Sequence, residues 1–266
     1  MEVILLLALA GSFAGFIAGL LGIGGGMIIV PVVLWAMQLQ GAGDTNYSQH
    51  IAVGTSFAVM VFTSFSSMMS QHKKGAVDWH VFKSMVPGMI AGVAGGSLLA
   101  KVLPKEGLQI FFVVFTIVIA VRTLMDAKPK PTRHLPGRGG LFGMGGLFGV
   151  LSSWIGIGGG SLSVPFMVFC NVPVHKAVGT SAALGWPIAL TGAIAYLING
   201  WDVAGLPPGS LGFVYWPAAL VLAMATLIFA PLGVKVSHKL PPEKLKLAFG
   251  ILLLVIAVRM AWQLVR

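Results

Sequence analysis

Two Gly-Ile-Gly-Gly-Gly runs, Gly22 to Gly26 and Gly156 to Gly160, lie between apolar stretches, each with a proline five residues on, at Pro31 and Pro165. Adjacent glycines cost a helix ~1 kcal/mol each relative to alanine, and they open backbone angles closed to other residues. In hydrocarbon every freed backbone group must find a partner, so an unwound run survives only buried in protein or lining a wet cavity. The helix that follows such a run presents N–H groups carrying about half a positive charge from its macrodipole, enough to hold a small oxyanion without a buried lysine or arginine. Two breaks in equivalent positions point to a transporter's central site. The candidate anion ligands are therefore Gly24, Gly25, Gly26, Gly158, Gly159 and Gly160. Close helix packing is the rival use of glycine, though it explains Gly-x3-Gly spacing better than consecutive glycines.

A second repeated motif supplies hydroxyls. His50-x-Ala-Val-Gly54-Thr55-Ser56 recurs as His175-x-Ala-Val-Gly179-Thr180-Ser181. Thr55, Ser56, Thr180 and Ser181, with Ser161 just past the second glycine run, are candidate donors to anion oxygens; the alternative is bonding to their own helix backbone four residues back. His50 and His175 are the candidates for proton coupling, the residue type whose side chain ordinarily changes charge near neutral pH, against a capping role. Arg122 and Arg259 end equivalent segments, as gates that attract substrate or as residues that snorkel to headgroups. Trp154 and Trp186 lie near the motifs as candidate cavity walls, whereas Trp35, Trp79, Trp201, Trp216 and Trp262 read as an interfacial belt. All seven acidic residues fall in loops or at segment ends. A cation carrier usually keeps a carboxylate within the membrane, so the substrate is expected to be an anion, while sodium on backbone carbonyls stays open. The one cysteine, Cys170, excludes an internal disulfide and a multi-cysteine metal site, and no cofactor or metal is expected. An intramembrane enzyme would need a nucleophile or metal cluster, and neither is present in the pattern.

The elements that must position these residues are membrane helices. The chain is 57% hydrophobic and 9% charged, with a mean hydropathy of +0.93, far from the composition of a soluble domain. Glu2 stands where a signal peptide would be basic, so the first segment is expected to be retained. Turn and charge signals mark ten apolar segments near 3–21, 26–40, 50–71, 79–101, 106–125, 139–155, 160–171, 175–198, 211–237 and 244–265. Residues 126–138, rich in proline and charge, form the linker between a first membrane repeat, 1–125, and a second, 139–266. Five segments per half is an odd number, so the fold class is an all-α integral membrane protein of two inverted repeats, each with a Gly-rich broken or re-entrant helix pair. The net charge of +10 reads as membrane orientation and not as nucleic-acid binding. With the linker cytoplasmic, only Lys101, Lys105, Arg259 and Arg266 of the 17 basic residues lie outside, as do both termini.

The duplicated GIGGG-x4-P and H-x-A-V-G-T-S patterns, on ten apolar segments across essentially the whole chain, resemble the TauE/SafE sulfite exporter family of bacterial inner-membrane proteins. That resemblance implies a secondary transporter exporting sulfite, sulfoacetate or a related organosulfonate, by alternating access and with coupling to protons an open question. An anion channel of the same architecture is the alternative. It also implies about eight full crossings, which the ten segments meet if the short glycine-flanked ones are re-entrant. Partners are the small anion and the lipid bilayer; an oligomer is compatible with this reading.

Overall fold

A computed structural model describes residues 2–21, 25–41, 45–125, 134–237 and 242–265. Among these described residues ten helices follow one another: α1 (Glu2–Leu21), α2 (Gly26–Leu39), α3 (Ser48–Lys73), α4 (Trp79–Val102), α5 (Lys105–Leu124), α6 (Arg138–Ile155), α7 (Gly160–Phe169), α8 (Val174–Asn199), α9 (Trp216–Ser237) and α10 (Pro242–Val265). Five of them, α3, α4, α5, α8 and most of α9, are long and apolar enough to cross a membrane. The protein is an all-α membrane protein. Boundaries agree with the apolar segments to within two residues, with one exception. The segment expected from residue 211 starts at Trp216, because Ser210–Leu211 and Val214–Tyr215 pair as an antiparallel hairpin, β1 and β2. Gly209 and Gly212 take positive φ there (86° and 54°), which ends any helix. The linker also ends one residue early, with Arg138 already helical, and its residues 126–133 lie outside the described residues.

Local signals set the helix ends. Asp78 caps α4, its Oδ1 accepting from the N–H groups of His80 (3.0 Å) and Val81 (3.2 Å). Gly156 closes α6 in the left-handed region (φ 75°), its N–H donating to Ser152 O at 2.9 Å.

The packing exchanges elements between the halves. Helix α1 lies along α9, with Gly11 against Leu222, Gly15 against Thr226 and Gly19 against Ala230, so the two run parallel. Helix α6 lies along α4 in the same way, Gly145 on Met85 and Gly149 on Met89. Each contact brings a glycine onto a neighbour's backbone, as small residues do in membranes. At the centre α3 and α8 run antiparallel: Gly54 meets Tyr196, Phe57 meets Gly192 and Ser64 lies beside Gly185. Helix α4 runs parallel to α8, since Asp78 bonds Thr180 at one end and Ser97 bonds Asn199 at the other. Helix α9 runs parallel to α3, from Tyr215 beside Thr55 to Leu227 beside the last turns of α3. Thus α1 and α3 point the same way, and α2 between them returns. At 14 and 10 residues, α2 and α7 span about 21 Å and 15 Å, short of a ~30 Å hydrocarbon core.

The glycine stripes give a test. Leucine at Gly92, where a side chain collides with the Gly146 backbone, is expected to lower thermal stability by about 1–3 kcal/mol through overpacking. Leucine at Gly95, which faces open space on the same helix, is the control and should melt like the parent in detergent.

Candidate functional site

The two glycine breaks meet. Gly26, the first residue of α2, lies so close to the backbone of Gly156 and Ile157 that any side chain would strike the Gly156 carbonyl. Gly25 takes a left-handed backbone (φ 75°) beside Ala14 and Ala18 of α1, turning the chain back from α1 into α2. Gly159 sits against Ile188 and Met89. Gly25, Gly26, Gly158, Gly159 and Gly160 are all buried, while Gly24 lies outside the described residues. The first turns match: Gly25 O accepts from Ile28 and Ile29, and Gly159 O accepts from Leu162 and Ser163. The N–H groups of Gly160 and Ser161 find no acceptor among the described residues, as expected of a helix start. Ser161 Oγ, beside them, is buried and also has no partner.

The adjacent Thr and Ser of each motif part company, because one residue turns the helix by about 100°. Ser56 Oγ donates to Gly156 O (2.9 Å), tying α3 to the break of the other half. Ser181 Oγ shares a hydrogen bond with Ser163 Oγ (2.6 Å), which in turn donates to Gly159 O (2.6 Å). Thr55 and Thr180 point elsewhere. Thr55 Oγ1 accepts the N–H of Tyr215 (2.9 Å), just before α9, and Thr180 Oγ1 accepts the N–H of Asp78 (2.8 Å), just before α4. Each threonine latches the start of a helix from the opposite half, and each hydroxyl keeps its proton for a further acceptor.

The candidates for coupling or gating separate. His50 is buried and its Nε2–H donates to Ala100 O (2.8 Å) in the last turn of α4, so it satisfies a helix C-terminus. Its motif partner His175 is exposed at the start of α8. Arg122 is exposed at the end of α5, and Arg259, also exposed, stacks over the Trp35 ring at 5.3 Å. Trp154 Nε1 donates to Gly96 O (2.9 Å), binding α6 to α4, and its ring meets Phe111 edge-on. Trp186 lines an open groove of about 700 Å³ on the outer face of α3, with Phe62, Phe65 and Leu227, and with Lys73 at its end. None of these six supplies the atoms nearest Gly25, Gly26, Gly156 or Gly159. Sequence reasoning missed Ser152, whose hydroxyl is buried without a partner beside Gly156, and the buried Gln49 at the start of α3, both of whose amide atoms lack partners. Ser152-Ser153 inside an apolar segment was the available signal for the first.

The two ends of the molecule differ. At the end holding Lys101 and Lys105, the 45–47 turn and the hairpin pack together: Tyr215 Oη donates to Gln40 Oε1 (2.7 Å), and the Tyr47 and Phe213 rings lie 5.2 Å apart. At the end holding Lys73, Lys83 and Arg138, Lys176 Nζ donates to Gly75 O (3.2 Å), joining the start of α8 to the turn before α4.

The sulfite exporter TauE/SafE family model matches residues 7–260. A probable membrane transporter protein of Haemophilus influenzae is 32% identical, with 97% of each chain covered. Probable membrane transporter proteins of Bacillus subtilis (25% identical, 97% of each chain) and Methanocaldococcus jannaschii (27%, 93% of this chain and 91% of the other) are similar along almost their whole length. No solved structure matches. On this evidence the chain belongs to the sulfite exporter TauE/SafE family.

Proposed function

We propose that the protein is a secondary transporter that exports a small sulfur-containing anion, sulfite or an organosulfonate, across the bacterial inner membrane by alternating access. The observation that carries this reading is the meeting of the two glycine breaks at the centre of the fold, with the N–H groups of Gly160 and Ser161 and the Ser161 hydroxyl all without partners. Together these donors match the needs of an oxyanion and add no buried charge. Ser56 and Ser181 brace the breaks, and Thr55 and Thr180 hold the helices that must move. The antiparallel packing of repeat-equivalent α3 and α8 supports two inverted repeats, with α2 and α7 entering from opposite sides and stopping near the midplane. The breaks are buried, so an anion reaches them only when one end opens. His50, whose Nδ1 has no partner, is the candidate for proton coupling, and both termini are placed in the periplasm.

Three outcomes test this. Alanine at Gly26 forces the breaks apart and is expected to abolish sulfite transport in proteoliposomes at normal protein yield; undiminished transport removes the glycine site, and flux without saturation identifies a channel. Valine at Thr55 leaves the Tyr215 N–H unpaired and should cost about 1–3 kcal/mol of stability, with sulfite affinity unchanged; the reverse pattern would move Thr55 into the anion site. In a Cys170→Ala background, a cysteine at Lys74 should label only from the cytoplasm and one at Pro104 only from outside, and equal access from one side refutes the orientation.

A further inference from the structure

The N-terminus of α3 is a buried helix start without the usual partners. Its N-cap, Tyr47, makes no side-chain cap hydrogen bond. Ser48, Gln49 and His50 are nevertheless all buried, Gln49 being only 1% exposed. The N–H groups of Gln49 and His50 find no acceptor among the described residues. Both amide atoms of Gln49, His50 Nδ1 and Thr45 Oγ1 likewise lack partners. Burying such a group unpaired costs free energy that an apolar side chain of the same size avoids. Selection for stability alone would therefore have replaced it.

Gln49 stands seven residues before Ser56, hence on the same stripe of α3. Ser56 already touches the Gly156 break, so Gln49 lies about 10 Å farther along that face toward the end covered by the hairpin. We propose that this helix start is a second oxyanion station, in which the Gln49 amide and the Gln49 and His50 N–H groups hold the anion between the glycine breaks and that end. The proposal rests on the transport reading above. It has no counterpart in the other half: the matching position holds Val174, exposed at the start of α8. The station therefore serves one end of the pathway.

Purified wild-type protein is melted against rising sulfite, then compared with Gln49→Leu and Gln49→Glu. Leucine keeps the volume and drops the amide, so the anion-free melting temperature should hold or rise while apparent sulfite affinity falls about tenfold, the loss of one hydrogen bond to a charged group. Glutamate should weaken sulfite binding further. A Gln49→Leu protein with wild-type affinity, or one that melts lower without anion, overturns the station. A wild type that gains no stability from sulfite, sulfate, thiosulfate or a short organosulfonate overturns the transport reading as well, which separates the two failures.

Discussion

Everything in this fold answers to one constraint: in hydrocarbon, a backbone polar group that leaves its helix must be met by protein or by something bound to it. Two helix starts at glycine runs cannot face lipid, so they are driven inward and against each other, Gly26 on Gly156 and Ile157. That meeting puts α3 and α8 at the centre, since Ser56 and Ser181 supply the hydroxyls that brace the breaks. The flanking helices then close around them through glycine stripes, α1 on α9 and α6 on α4, each using its neighbour's backbone as its packing surface.

The halves are consequently interlocked. The first helix of each repeat packs on the fourth of the other, and each threonine latch reaches across the same divide. A boundary drawn at the linker divides the sequence neatly but cuts through the packing. The seams that cross it, α1–α9 and α4–α6, are the ones where glycines meet a neighbour's backbone.

Helix number and position were legible because ten apolar stretches separated by glycine, proline and charge leave little choice. The central breaks were legible because consecutive glycines, twice over, have few other uses. Partners across the molecule were not. Gly11, Gly15 and Gly19 show their four-residue spacing in the sequence, yet nothing local says that Leu222, Thr226 and Ala230 lie opposite. The hairpin at 210–215 was hidden by its own apolar residues, Leu211, Phe213, Val214 and Tyr215, which read as the start of a membrane helix until Gly209 and Gly212 turned the chain. His50 and His175 share one motif, but only His50 is buried: the rings of Tyr47 and Phe213 lie 5.5 Å and 5.3 Å from its own and its Nε2–H reaches Ala100 O, neighbours that the motif itself does not name. Thr55 and Ser56 looked interchangeable as hydroxyl donors, and the turn of one helix gave them separate tasks.

The hairpin has a thermodynamic consequence. Two identical inverted halves would make the two facing states of a carrier mirror images with equal free energy, each populated half the time in the absence of a gradient. The Tyr215 to Gln40 bond and the Tyr47 to Phe213 stack exist at one end only. In a carrier of that kind, such one-sided contacts would favour one facing state at rest, a bias set by a few residues of the hairpin and of the 45–47 turn.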